Sequence, residues 1–150
     1  MALKIKGVPS IFPNRGEGIG AKGKENYATI AANTFTTISP DVDDITQNNG
    51  EWVSDNVGNL EFSANIQIPN GATITKAVLY GTSATPTWIL KRFDIRDGGA
   101  DTVSTQNINT ESTAIAEYAN NADNQFYVYV FQTVLEINNR IYGARITYTI

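Results

Sequence analysis

Histidine and cysteine are absent from all 150 residues. Without histidine the chain lacks the commonest general base, the usual serine and cysteine triads, and most zinc sites. Without cysteine, neither disulfides nor thiolate metal sites hold the fold together, a situation that fits either redox compartment. Charged side chains are sparse as well, at 17% against roughly 25% in ordinary soluble domains. No apolar run approaches the roughly 20 residues that span a bilayer as a helix, so the chain reads as soluble. The opening Met1-Ala2-Leu3-Lys4-Ile5-Lys6-Gly7 lacks the apolar core of a secretory signal. Gly16-Glu17-Gly18-Ile19-Gly20 has no strand before it and no helix after it, so it is not a phosphate-cradling loop. These absences point away from an enzyme.

The place of the missing charge is taken by Thr, Asn, Ser and Gly, which suit strand faces and turns. The chain is long enough for one domain with a sizeable core. Leu60, Phe62, Ala64, Ile66 and Ile68 alternate with Glu61, Ser63, Asn65 and Gln67, the period of a strand with one buried face. Pro69-Asn70-Gly71 closes that strand, and residues 74–80 form the next, stopped at Gly81. Residues 88–95 alternate again, with Ile89, Phe93 and Ile95 on one face and Lys91 breaking the row, before the Asp97-Gly98-Gly99 turn. Residues 102–108 and 113–118 read as weaker, polar strands. Residues 125–135 are apolar on both faces, which predicts a central strand covered on both sides. In residues 141–150, Tyr142, Ala144, Ile146, Tyr148 and Ile150 oppose Gly143, Arg145, Thr147 and Thr149. With one or two strands in 27–38 and another after the Asn48-Asn49-Gly50 turn, the pattern predicts an all-β fold without a helix. The expected architecture is a single β-sandwich or jelly-roll-like domain, residues 26–150, preceded by an extended N-terminal arm, residues 1–25.

The arm is dense in Pro and Gly, which excludes a helix or a central strand. It carries Lys4, Lys6, Arg15, Lys22 and Lys24 against Glu17 and Glu25, a net of +3, which leaves −7 on residues 26–150. A basic arm on an acidic body speaks against a nucleic-acid-binding body, where phosphates need a concentrated positive surface. It suits an arm that lies on an acidic neighbour, including a second copy of the same body.

Other chemistry has a structural reading beside it. Glu51, Glu61, Glu117 and Glu136 are the carboxylates that could pair for glycoside hydrolysis, but strand faces and loop ends are where solvated Glu belongs. Asp94, Asp97 and Asp101 around Gly98-Gly99, and Asp41, Asp43 and Asp44 after Pro40, offer hard oxygen ligands of the kind Ca²⁺ takes. Neither has the spacing of a calcium loop, and Asp also favours turns by bonding nearby backbone N–H groups; no metal or cofactor is assigned. Among the aromatics, Trp88 and Trp52 are the candidate sugar platforms, Trp88 because the Thr85-Pro86-Thr87 loop delivers it. Tyr118, Tyr127, Tyr129 and Tyr142 could join them, although strand aromatics mostly pack cores.

Three stretches carry a resemblance to known proteins. They are the arm from Met1 to Glu25; the segment Ile66-Gln67-Ile68-Pro69-Asn70-Gly71-Ala72-Thr73-Ile74-Thr75-Lys76-Ala77-Val78-Leu79-Tyr80; and the closing strand Ile141-Tyr142-Gly143-Ala144-Arg145-Ile146-Thr147-Tyr148-Thr149-Ile150. In outline the chain resembles small phage virion proteins of the capsid-decoration kind, and more loosely other phage and bacterial surface β-sandwiches. The resemblance implies a non-enzymatic homo-oligomer of the virion that binds a protein lattice and stabilises it. Lys4, Lys6, Arg15, Lys22 and Lys24 would then meet acidic patches on adjacent subunits, with neither nucleic acid nor membrane as partner. The alternative is a carbohydrate-binding or adhesive module using Trp88 and Trp52.

Overall fold

The structure, a computed structural model, describes residues 23–37, 41 and 44–150. They form the strands β1 (Asn26–Ala31), β2 (Thr36–Thr37), β3 (Ile45–Asn48), β4 (Trp52–Asp55) and β5 (Leu60–Ile66). After these come β6 (Thr73–Gly81), β7 (Thr87–Asp94), β8 (Ala100–Asn107), β9 (Tyr127–Leu135) and β10 (Arg140–Thr149). Short 3₁₀ turns at Ala32–Thr34 and Glu117–Ala119 are the helical pieces among the described residues.

The pairings are nested. β7 and β8 form a hairpin closed through Asp97-Gly98-Gly99, and the Ser112–Asn121 segment bridges back to β6 at Ala77 and Thr73. Outside them β5 pairs with β9, and outermost β1 pairs with β10, all antiparallel. The chain is thus one long hairpin whose two arms are paired almost end to end and then rolled over. Rolling places β5-β9-β7-β8 in one sheet and β1-β10-β6 with the 112–121 segment in the other. That order is a jelly roll, the doubled Greek key. The stretch between β1 and β5 is an insertion: β2 extends the first sheet beyond β5, and the β3–β4 hairpin joins the end of β10.

One core lies between the sheets. Phe62, Ala64 and Ile66 of β5, Trp88 and Leu90 of β7, and Phe131 and Leu135 of β9 meet Ala77 and Leu79 of β6 and Ala144 and Ile146 of β10. Trp88 and Phe131 meet edge to face, with ring centroids 5.6 Å apart. Each such large side chain contributes roughly 1.5–3 kcal/mol by leaving water.

The β5 alternation falls as expected, with Phe62, Ala64, Ile66 and Ile68 all buried. Other expectations are corrected. On β7 the buried row is Trp88 and Leu90, while Ile89 and Phe93 face outward and are half-buried. β9 is central, but its outer face is not covered by another layer among the described residues, since Val128 and Val134 stay 43% and 47% exposed. Residues 113–118 are not a strand; only Ser112 and Asn121 bridge to β6. The phase of β10 slips between Ile141 and Gly143, so Ile141 is buried and Tyr142 is exposed. Gly143, at φ 153°, permits this bulge, because a Cβ there would sit 2.6 Å from the Ile30 carbonyl oxygen.

Candidate interaction surfaces

Of the basic arm residues, Lys4, Lys6, Arg15 and Lys22 lie outside the described residues. Lys24 is exposed, and its carbonyl accepts a hydrogen bond from Asn26 Nδ2 at 2.9 Å. The Gly23 N–H donates to the Ile150 carbonyl at 3.3 Å, so the arm joins the body beside the end of the last strand and leads straight into β1.

Among the described residues, β1 is a sheet edge with no strand on its outer side. It pairs with β10 in unbroken register from Asn26↔Tyr148 to Ala31↔Gly143. Its sequence, Asn-Tyr-Ala-Thr-Ile-Ala, holds no charge and no proline, and the pairing has no bulge. These are the devices by which edges usually refuse a further strand. Ala28 and Ile30 turn inward against the core, whereas Tyr27 stays 57% exposed.

A charged cluster borders this edge on the outer face of its sheet. Lys76 Nζ lies 2.7 Å from Glu25 Oε1, and hydrogen bonding from that ammonium holds the Glu25 carboxyl below its usual range. Arg145 bonds Glu111 at 2.9 Å and lies 5.2 Å from the centre of the Tyr27 ring. Arg145 Nε is buried with no hydrogen-bond partner among the described residues.

The outer face of the opposite sheet carries a shallow groove of about 450 Å³ lined by Glu61, Pro86, Ile89, Lys91, Gln132 and Val134. Glu61 is the one carboxylate in that lining, and Glu51, Glu117 and Glu136 lie elsewhere. No pair for glycoside hydrolysis is therefore assembled there. A second cleft, about 320 Å³, opens where β5 and β9 splay apart beyond the Ile66–Tyr129 pair.

The expected sugar platforms fare differently. Trp88 is corrected: it is fully buried, its Nε1 donating to the Asn107 carbonyl at 3.0 Å, so its ring is not available at the surface. It begins β7 on the core-facing phase, and the preceding loop does not lift it out. Trp52 is half-buried under the Arg140 guanidinium, 4.0 Å from the ring centre. Tyr129 is buried, with its hydroxyl donating to the Asn121 carbonyl at 3.2 Å. Tyr118 is 64% exposed, held by a hydrogen bond from its hydroxyl to the Thr102 carbonyl. Between Tyr118 and Tyr127 lies Arg92, 5.7 and 4.3 Å from the two ring centres, which also grips Asp101 through Nε at 2.9 Å.

The acidic clusters are spoken for. Asp94 accepts from Arg96 side chain and backbone, Asp97 from the Gly99 N–H, and Asp101 from Arg92. Asp44 accepts from the Asp41 N–H, a turn contact, and Asp43 lies outside the described residues. Among the described residues no three acidic side chains gather as a metal site.

Sequence reasoning missed the β1 edge and β3. The available signal for the edge was the uncharged alternation in Asn26–Ala31, directly after a basic arm. No protein-family model matches this chain, and neither a curated protein nor a solved structure does.

Proposed function

We propose that this chain is a structural virion protein, a capsid decoration or minor shell component that binds an assembled protein lattice through its N-terminal arm and stabilises it. The observation that carries this reading is the attachment of the arm: a segment of net charge +3 enters an acidic body at an uncharged edge strand that is open on one side among the described residues. Such an arm can bury extended contacts on a neighbour, and repetition over a lattice multiplies a weak contact through avidity. The rolled topology is shared by viral capsid domains and by lectins, and a fold alone does not select between them. The arm favours the first.

Light scattering on the full chain tests this reading. Reversing the arm charge with Lys4→Glu, Lys6→Glu, Arg15→Glu and Lys22→Glu is expected to turn an oligomer into monomer at low salt. An oligomer that survives the reversal unchanged would sink electrostatic docking of the arm.

A carbohydrate-binding or adhesive module is the second reading, and the observation that favours it is the exposed Tyr118 ring. It predicts that Tyr118→Ala abolishes retention on a glycan array while leaving the melting temperature in place. Retention by that variant equal to the parent's would remove this reading.

A further inference from the structure

The register of the β5-β9-β7 sheet gives its outer face a symmetry. Glu61 pairs with Val134 and Lys91 with Val130, two residues to either side of Gln132 along β9. Glu61 and Lys91 therefore stand on the two flanking strands, equally far from Gln132 and in opposite directions. At about 4.8 Å between strands and about 3.3 Å per residue, they lie roughly 16 Å apart with Gln132 at the midpoint. Two apolar side chains fill out the same diagonal pattern. Val134 is the cross-strand neighbour of Glu61, and Ile89, opposite Gln132, precedes Lys91 by two residues on β7.

All five residues line the shallow groove on this face. Glu61 and Lys91 are too far apart to pair with each other, and neither has an ion-pair partner among the described residues. Val134 is 47% exposed, and Ile89 and Gln132 are half-buried. The face thus presents one carboxylate, one ammonium and an apolar strip, and its net charge is zero.

We infer that this face is a contact between two copies of the chain, related by a two-fold axis through Gln132 that runs across the Glu61–Lys91 diagonal. That rotation sets Glu61 of each copy against Lys91 of the other, Val134 against Ile89, and Gln132 against its own twin. A partner for this face must offer an ammonium and a carboxylate at the same spacing in the reverse order. A second copy offers them by symmetry, because an isologous interface presents one patch to itself. The Gln132 amide carries both a donor and an acceptor, so it can bond its twin. The strands of the two copies then cross roughly at right angles, one of the two ways in which sheets pack face to face. Exposed ion pairs contribute little each, so the contact is weak between dilute free chains. It strengthens where other contacts already hold copies side by side. The inference goes beyond arm docking and does not depend on the charge of the arm.

Because the chain has no cysteine of its own, single cysteines report the contact in the full-length protein. Packed sheets lie about 10 Å apart, so a short bis-maleimide links only residues that face each other. Gln132→Cys is expected to link to itself at least tenfold more than Thr102→Cys, which is exposed beside Lys91 on the same sheet but is carried far from its twin by the rotation. Adding Glu61→Lys or Lys91→Glu to the Gln132→Cys chain opposes like charges, and each is expected to cut the linked product at least fivefold. Mixing those two double variants is expected to restore it as a heterodimer, which ion exchange separates from either homodimer. Equal linkage at Gln132→Cys and Thr102→Cys would overturn the interface. Selective linkage that survives both charge reversals, or that the mixture fails to restore, would overturn this two-fold arrangement. No linkage, with the NMR signals of Ile89 and Val134 moving on Lys4→Glu and Lys6→Glu, would overturn it in favour of the chain's own arm on this face.

Discussion

The carboxylate of Asp55, fully buried at the end of β4, accepts a hydrogen bond of 2.9 Å from the backbone N–H of Leu60, the first residue of β5. The same carboxylate takes the N–H groups of Val57 and Gly58, and the Asp55 backbone bonds Asn138 and Asn139 of the β9–β10 turn. One residue thereby fastens, by side chain and backbone, the two turns that cross between the sheets, β4 to β5 and β9 to β10. Asp55→Ala leaves three part-buried donors without their acceptor and is expected to cost about 3 kcal/mol. Asp55→Asn keeps one acceptor oxygen but turns an amide NH₂ toward a donor, at about 2 kcal/mol. Urea unfolding measures both, and a loss under 1 kcal/mol for Asp55→Ala would mean the loop holds itself.

Trp88 and Trp52 should separate by fluorescence. Trp88 is enclosed by the core and Trp52 is half-buried at the surface. Trp52→Phe is therefore expected to leave blue-shifted emission that resists acrylamide, and Trp88→Phe to leave a quenchable signal. Trp88→Ala is expected to destabilise by about 3–5 kcal/mol, the range for deleting a large core aromatic. Strong quenching of the Trp52→Phe protein would place Trp88 at the surface after all.

Gly143 is the residue that shifts the phase of β10. Gly143→Ala brings a Cβ against the Ile30 carbonyl in a backbone region that L-residues avoid, so a loss of about 2 kcal/mol is expected. The damage should centre on the β1–β10 pairing. Hydrogen exchange is expected to quicken at Tyr27–Ala31 while Leu90 and Phe131 stay protected, and uniform quickening would argue against a local effect.

Among the described residues, Asp94 carries the carboxyl with the strongly depressed ionisation, brought to about 2 by hydrogen bonds from the Arg96 side chain and backbone. Because the folded value lies below the unfolded one, the contact favours folding fully above the ordinary Asp range. Its contribution fades as pH falls from about 4 toward 2. Arg96→Gln is expected to return Asp94 close to the ordinary range in an NMR titration and to flatten that part of the acid stability profile. An unchanged Asp94 titration would show that the arginine is not the cause.

The class of this fold and the places where the chain turns are legible in the residues alone. Polar–apolar alternation in Leu60–Ile68 and turn chemistry at Asn49-Gly50, Asn70-Gly71 and Gly98-Gly99 are local properties, set by side-chain geometry and φ preference. They demanded strands and hairpins without any partner being known. Which face of a strand turns inward depends on what lies across from it, and the local pattern does not contain that. Trp88 and Ile89 are adjacent and both apolar, and the choice between them was made by Phe131 and the facing sheet. The same holds for β10, whose pairing with β6 shifts between Ile141 and Gly143, at a glycine whose Cβ position the Ile30 carbonyl occupies. The nested pairing of β1 with β10, more than a hundred residues apart in the chain, also left no local trace. Nor did the openness of the β1 edge: an uncharged strand reads alike whether it is central or terminal, and only the sheet order leaves Tyr27–Ala31 open on one side among the described residues.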